Sequence, residues 1–184
     1  MNHPRSTETM NIRPVRADDT LLMQHFLQNL GDASRRHRFH GAINACSSGL
    51  LRLMTSVDGQ RHVAWVVVGQ TADGPRLLGE ARFVRSNRGD EAELALTVAD
   101  DCRGQGISDR LMQTLLAAAG ARGVQRLRAE VEPCNAYMHA FLQRHGFVRA
   151  EASANTDTDT DTDSEVGVTI WVRTVADLRT RGLH

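Results

Sequence analysis

A strand pattern that runs into a glycine loop and then into a helix constrains the fold of this chain more than any other feature. Residues 98–108 read VADDCRGQGIS, and the helix pattern that follows places Ile107, Leu111 and Leu115 on one face. Such a loop leaves backbone N–H groups unpaired and aims the positive end of the helix dipole at the same place. That place suits a phosphate-bearing ligand, so the segment predicts an enzyme that binds one.

The composition restricts the class of protein. The 184 residues suffice for one domain with a core, and 41% apolar with 24% charged residues is ordinary for a soluble globular protein. Twenty-two basic residues balance 22 acidic ones, so no basic excess points to nucleic acid or an anionic membrane. No apolar run approaches the roughly 18 residues of a membrane span, and residues 1–10 lack an apolar signal core. We therefore expect a cytoplasmic protein with neither nucleic acid nor membrane as a partner.

The cysteines and histidines show no metal-binding spacing. Cys46, Cys102 and Cys134 are odd in number and lack a C-x-x-C pair, which favours reduced thiols. His37 and His40 are three residues apart on a helix pattern, but no third ligand accompanies them. No His–Asp pair stands beside Cys134 in the sequence, so we expect no acyl-enzyme there. The sequence predicts a protein without a bound metal.

Hydrophobic periodicity and turn signals predict seven strands and four or five helices. The strand patterns cover residues 11–15, 62–69, 76–84, 91–99, 126–132, 147–150 and 166–172. One helix pattern begins after the N-cap candidates Asp18 and Asp19, and another begins after Ser47 or Ser48. The other helix patterns span residues 32–40, 107–123 and 136–145. In the first of these helices Leu21, Leu22, Phe26, Leu27 and Leu30 share one side. Three consecutive strands joined by short turns predict an antiparallel meander.

The predicted organisation is one domain over residues 11–175, after a disordered lead at 1–10 and before a tail at 176–184. Alternating threonine and aspartate residues at 156–163 form the one low-complexity tract. A calcium loop would need glycine at Thr162 and glutamate at Val168, so that interpretation fails. We expect residues 153–165 to form a flexible, solvated loop.

Three phosphate-binding patterns compete for the glycine loop. A P-loop fails because no lysine follows Gly106, and a dinucleotide fingerprint is disfavoured because its third glycine position holds Asp109. The third pattern, R/Q-x-x-G-x-G/A, is the coenzyme A pyrophosphate loop of the GNAT N-acetyltransferases. Arg103, Gly106 and Ser108 occupy its fixed positions, with serine where glycine or alanine is usual.

The resemblance to the GNAT family extends from Ile12 to about Val172. Asn135 followed by Gly146-Phe147 matches the second signature of the family, and residues 12–19 and 98–101 resemble the acetyltransferase domain of bacterial protein-lysine acetyltransferases that act on acyl-CoA synthetases. The resemblance implies an α/β fold of the α+β type. Its central mixed sheet, mostly antiparallel, has about seven strands flanked by four or five helices. The resemblance also indicates one candidate assembly, a homodimer formed through the final strands.

The resemblance further implies an acetyl-CoA site. The residues expected to contact the cofactor are Val98, Arg103, Gly104, Gln105, Gly106, Ile107, Ser108 and Asn135. Loop amides would hold the pyrophosphate, and a strand splay near Val98 would expose backbone groups to pantetheine and the thioester carbonyl. Asn135 would contact pantetheine, although a plain N-cap explains it equally well.

The catalytic candidates are carboxylates, because a lysine amine with a pKa near ~10.4 must lose a proton before it attacks. Glu93 is the candidate base, on the strand that leads to the loop, and a solvent-facing carboxylate is the alternative interpretation. Glu130 on the neighbouring strand is the reserve candidate. The family's usual tyrosine acid is replaced by Leu142, and Tyr137 is expected to pack rather than to donate a proton.

The sequence therefore predicts an enzyme that moves an acetyl group from acetyl-CoA to a primary amine by direct attack in a ternary complex. A protein lysine is the expected acceptor. A small-molecule amine is the enzymatic alternative, and a catalytically silent acyl-CoA sensor is the alternative from another class.

Overall fold

Seven strands form one mixed sheet in the computed structural model, which describes residues 10–39, 46–86, 90–150 and 168–175. The strands are β1 (Asn11–Pro14), β2 (His62–Thr71), β3 (Gly74–Arg85), β4 (Glu91–Val98), β5 (Arg126–Val131), β6 (Val148–Arg149) and β7 (Thr169–Thr174). The helices are α1 (Thr20–Gln28), α2 (Asp32–Phe39), α3 (Ser48–Thr55), α4 (Ile107–Ala121) and α5 (Ala136–Arg144). Short 3₁₀ turns cover Ala17–Asp19 and Asp100–Cys102.

The sheet topology confirms the predicted meander and the mostly antiparallel mixed sheet. The strand order is β1-β2-β3-β4-β5-β7-β6, and every neighbouring pair is antiparallel except β4 with β5. The expected loop at 153–165 and tail at 176–184 lie outside the described residues, as do His40 and the expected lead except Met10. The described residues include no helix long and apolar enough to cross a membrane.

Helix α4 packs against the sheet through the predicted apolar face. Ile107, Leu111 and Leu115 are at most 1% exposed, and burying each side chain contributes about 1.5–3 kcal/mol relative to leaving it in water. Gly79 on β3 allows the close approach, because a Cβ there would lie 3.0 Å from atoms of both Ile107 and Leu111. The packing therefore fixes where the N-terminus of α4 lies relative to β3 and β4.

Asp19 occupies the N-cap position of α1, as predicted, but the prediction for this helix is wrong in two details. The Asp19 carboxylate does not cap the helix but holds the Arg13 guanidinium at 2.6 and 2.7 Å and accepts the Arg16 N–H at 2.8 Å. Burial would raise the pKa of Asp19, but these hydrogen bonds, led by that from Arg13, bring it below its ordinary value. Leu21 is 68% exposed instead of lying on the apolar side. Ser47 does cap α3, as predicted, by accepting the Leu50 N–H.

Candidate active site

Strands β4 and β5 separate soon after their pairing begins. Their parallel register covers only three residue pairs, from Glu91 with Arg126 to Glu93 with Arg128. Beyond that point β4 continues to Val98 along β3, while β5 follows β7. A cavity of about 410 Å³ opens where the two strands diverge, and residues of both strands line it.

The antiparallel register shows which backbone groups of β4 face this gap. The Ala99 N–H donates to the Leu78 carbonyl at 2.9 Å, so alternate residues of β4 point their backbone groups at β3. Leu96 and Val98 occupy the intervening positions, and their N–H and C=O groups point toward the side from which β5 has departed. The sequence had singled out Val98. Leu96 could have been found by the same alternation, had the register been known.

The glycine loop brings further unpaired amides to one end of the cavity. Gly104 and Gly106 both adopt a φ of 74°, a left-handed conformation that favours glycine, and α4 begins directly afterwards. Within the described chain, the N–H groups of Gly104, Gln105 and Gly106 have no backbone acceptor. The first-turn amides of Ile107 and Ser108 have none inside the helix. The loop and helix end thus present a set of N–H donors suited to an anion.

The Arg103 side chain is anchored to the start of α2. Its guanidinium donates to Ser34 Oγ at 2.6 Å and lies 2.5 Å from an Asp100 carboxylate oxygen. Asp100 also accepts the Gly31 N–H at 2.7 Å and the Ser34 hydroxyl at 2.6 Å. Burial would raise the pKa of Asp100, but the bonds from Ser34 and Gly31 and the Arg103 charge hold it below its ordinary value. These contacts keep a positive charge at the beginning of the loop.

Helix α5 and the residue before it contribute a further part of the cavity wall. The Asn135 side chain accepts the Met138 N–H at 3.1 Å, which confirms its role as an N-cap. The Tyr137 ring stacks on Phe141, but the side chain is 60% exposed and its hydroxyl lies 3.2 Å from Ser108 Oγ. Tyr137 therefore packs through one ring face only and reaches the N-terminus of α4, a contact that the sequence did not predict.

The two candidate carboxylates differ in their surroundings. Glu93 occupies the last paired position of β4, is exposed, and lines the cavity. Its carboxylate has no ion-pair partner among the described residues. Glu130 also lines the cavity, but its carboxylate is paired with Arg128 at 2.7 Å. Of these two carboxylates, Glu93 is consequently the one without an ion pair among the described residues.

A buried ion cluster supports the wall on the α2 side. Glu80 of β3 is fully buried and contacts the guanidinium groups of Arg82 at 2.5 Å and Arg38 at 3.2 Å. Arg82 also donates to the Met54 carbonyl at the end of α3. Burial would raise the pKa of Glu80, but the charges of Arg82 and Arg38 outweigh it and bring that pKa below its ordinary value. The cluster joins β3 to α2 and α3, and Arg38 itself lines the cavity.

Comparison with known proteins decides the family. Residues 35–147 match the Acetyltransferase (GNAT) family. The chain belongs to the GNAT family of acetyltransferases. It is 30% identical over 137 residues to acetyltransferase PA5475 of Pseudomonas aeruginosa, and the aligned residues make up 74% of each chain. It is 33% identical over 145 residues to acetyltransferase Pat of Mycolicibacterium smegmatis. The aligned residues make up 78% of this chain but only 43% of Pat.

The fold of this GNAT protein matches that of a solved relative. The GNAT domain of S. lividans PAT superposes with a TM-score of 0.75 at 23% identity, over 94% of this chain and 99% of that one. The predicted family, fold and enzyme class are thus confirmed, and enzymes of this family use acetyl-CoA. The cavity is lined by backbone N–H donors from three sources: the unpaired strand amides, the glycine loop and the N-terminus of α4. These donors fit a pyrophosphate and a thioester carbonyl.

Folding brings most of the predicted site residues to one cavity of this GNAT protein. The predicted residues in its lining are Glu93, Val98, Arg103, Gly104, Ile107, Ser108, Glu130 and Asn135. Gln105 and Gly106 belong to the same loop without lining the cavity. Sequence reasoning missed the lining residues His37 and Arg38, because they come from α2, far from the loop in the chain. The individual roles of all these residues in binding and catalysis stay predictions.

Proposed function

We propose that this enzyme transfers the acetyl group of acetyl-CoA to the ε-amine of a protein lysine by direct attack in a ternary complex. The observation that carries the proposal is the placement of Glu93. This free carboxylate lines the same cavity as the unpaired backbone groups of Leu96 and Val98 and the N-terminus of α4. A base, donors for an oxyanion and an anion site are the three elements that acetyl transfer from a nucleotide-linked thioester requires.

The loop and α4 would hold acetyl-CoA. The amides from Gly104 to Ser108 suit the pyrophosphate, and the anchored Arg103 adds a positive charge. The Tyr137 hydroxyl beside Ser108 adds a polar group at the same helix end. The exposed N–H groups of Leu96 and Val98 suit the pantetheine amides and the thioester carbonyl, and the Asn135 amide faces the same cavity.

The protonation state of the acceptor explains the need for Glu93. With a pKa near ~10.4, roughly one lysine amine in 2,500 is neutral at pH 7. In the proposed reaction Glu93 first passes a proton of the lysine ammonium to solvent, and the neutral nitrogen bonds to the acetyl carbon to give a tetrahedral oxyanion. Glu93 then accepts a second proton from that nitrogen as the carbon–sulfur bond breaks and the oxyanion collapses to the amide. The CoA thiol then leaves as a thiolate, since Leu142 supplies no proton at the position where many relatives carry tyrosine. The backbone donors of β4 stabilise the oxyanion that forms between these events.

Two observations favour a lysine acceptor. Glu93 places a carboxylate without an ion pair on the cavity wall, and this charge attracts a cationic side chain before it loses its proton. The resemblance to bacterial protein-lysine acetyltransferases and the similarity to acetyltransferase Pat point the same way. The chain itself contains no lysine, so it offers no lysine of its own as an acceptor.

The experiment is thiol release from acetyl-CoA with a panel of lysine peptides, folded acyl-CoA synthetases and small amines. Acetylated lysines are then located by mass spectrometry, and the lysine-free enzyme adds no background. We expect Glu93→Gln to lower kcat/KM at pH 7 by about 10²- to 10⁴-fold, and the deficit to shrink toward pH 10 as the amine loses its proton unaided. Glu91→Gln is the matched control, since it removes an equal charge from the same strand face, where the carboxylate already pairs with Arg126.

The outcomes separate the candidate functions. Turnover with folded protein or peptide lysines supports the proposal, whereas turnover with small amines alone assigns a small-molecule acetyltransferase. Tight CoA binding without thiol release on any amine identifies a silent sensor. Full activity of Glu93→Gln across the pH range would show that another group is the base.

A further inference from the structure

Three side chains with metal-binding atoms meet beside the cavity, although nothing in the sequence pairs them. His37 comes from α2, Glu132 directly follows β5, and Cys134 precedes α5. His37 Nε2 lies 3.4 Å from Glu132 Oε2 and 3.7 Å from Cys134 Sγ. The Cys134 Sγ atom lies 3.6 Å from the same Glu132 oxygen, so the three atoms form a nearly equilateral triangle. We propose that His37, Glu132 and Cys134 form a binding site for a thiophilic divalent transition-metal ion of the zinc type.

The dimensions of the triangle fit a tetrahedral zinc ion. Zinc bonds of ~2.0–2.1 Å to nitrogen, ~2.0–2.2 Å to oxygen and ~2.3 Å to sulfur place nitrogen ~3.4 Å from oxygen and sulfur ~3.6 Å from either. The three observed separations agree with these values to about 0.1 Å. By contrast, 3.4 Å between His37 and Glu132 is longer than the ~2.7–3.2 Å of a direct N–H···O hydrogen bond. The spacing therefore suits a shared ion better than a direct imidazole–carboxylate bond.

The environment of Glu132 supplies an independent reason. Its side chain is 5% exposed, yet within the described chain the carboxylate contacts only the imidazole of His37 and the thiol of Cys134. A buried carboxylate is costly unless a cation accompanies it, and Glu80 in the same protein has two guanidinium groups for that purpose. A bound divalent ion would supply a fixed positive charge beside Glu132, whose one basic neighbour among the described residues is the imidazole of His37.

The donor set and its accessibility define the class of ion. A thiolate, an imidazole and a carboxylate together favour zinc and similar transition metals over magnesium or calcium, which prefer oxygen alone. Cys134 is exposed, and both Cys134 and His37 line the cavity, so an ion can enter from solvent. Three protein ligands leave the fourth position for water or another small ligand. The occupied site would tie α2 to the segment between β5 and α5, and the inference is independent of which acceptor the enzyme uses.

The test titrates Co²⁺, as a spectroscopic probe of zinc sites, into the reduced, metal-free full chain without an affinity tag. We expect one equivalent to produce the visible bands of a four-coordinate ion and a near-ultraviolet thiolate-to-cobalt charge-transfer band, both abolished by one equivalent of Zn²⁺. Cys134→Ser should remove the charge-transfer band, and His37→Gln should weaken binding at least tenfold. Cys46→Ser and His25→Gln are the matched controls and should bind as the unaltered chain does.

A second measurement keeps the result independent of variant folding. In the unaltered chain, Zn²⁺ should slow alkylation of Cys134 by iodoacetamide at least tenfold, while Cys46, followed by mass spectrometry in the same sample, reacts at an unchanged rate. The proposal is overturned if the charge-transfer band is absent or survives in Cys134→Ser. It is equally overturned if Zn²⁺ leaves the alkylation rate of Cys134 unchanged.

Discussion

Replacing Glu80 with glutamine removes the only carboxylate from a buried cluster that joins β3 to α2 and α3. The variant keeps the size of the side chain and one acceptor oxygen for Arg82, so it changes the charge more than the shape. Arg82 and Arg38 are 6% and 11% exposed and would then be left without the anion between them. Removing one partner of a buried ion pair costs about 3–5 kcal/mol, since the remaining charge stays desolvated.

The magnitude translates into a large thermal shift. For a chain of this size, 1 kcal/mol corresponds to about 2–4 °C, so we expect Glu80→Gln to lower Tm by about 6–20 °C at pH 7. Glu91→Gln provides the control, because the Glu91–Arg126 pair has side chains 26% and 61% exposed. Such a surface pair contributes about 0–1 kcal/mol, so the control should lose a few degrees at most.

The effect should also depend on pH, with a sign set by the pKa of Glu80. That pKa is lowered in the folded state, so the stabilisation is complete above the unfolded value of ~4.3 and is lost as pH falls through the folded pKa. The assay is urea unfolding of the native chain and both variants between pH 7 and pH 3. A loss for Glu80→Gln no larger than that for Glu91→Gln would refute the reasoning. So would a difference from the native chain that does not shrink at acid pH.

Three further variants probe the proposed acetyl-CoA site. Tyr137→Phe loses the hydroxyl contact with Ser108. We expect steady-state kinetics to show a KM for acetyl-CoA that is raised about 2- to 12-fold with kcat nearly unchanged. An unaltered KM would show that Tyr137 does not belong to the acetyl-CoA site. Asn135→Ala loses the cap of α5, which should cost about 1 kcal/mol by urea unfolding, and equal stability would contradict the capping role. Gly106→Ala places a residue with a β-carbon in the left-handed region, which should lower the free energy of unfolding by about 1–2 kcal/mol and weaken CoA binding measured by calorimetry. Unchanged stability and affinity would show that the loop tolerates rearrangement.

Local patterns in the sequence predicted the parts of the fold that local chemistry determines. The apolar face of α4, the Ser47 cap of α3 and the Asn135 cap of α5 follow from residues close in the chain. Strand alternation likewise separated Glu93 from the apolar side of β4, and the structure leaves it exposed at the cavity. These features depend on periodicity and capping, both of which act within a few residues.

Contacts between distant segments were beyond the reach of the sequence. Asp19 occupies the predicted N-cap position of α1, but its carboxylate binds Arg13 across the turn instead of a helix amide. The neighbours of Cys134 could not be predicted, because His37 is 97 residues away and reaches it only when α2 packs beside β4 and the segment that follows β5. The exposed backbone of Leu96 required the register of β4 against β3 and the point at which β5 departs.

The central claim is that the diverging strands and the glycine loop together bind acetyl-CoA through their backbone amides. Amide hydrogen exchange, followed residue by residue by NMR with and without CoA, tests it most directly. We expect CoA to slow exchange at Leu96, Val98 and the amides from Gly104 to Ser108, and to leave the paired amides between β2 and β3 unaffected. Slowed exchange confined to other surfaces, or no change at saturating CoA, would contradict the account.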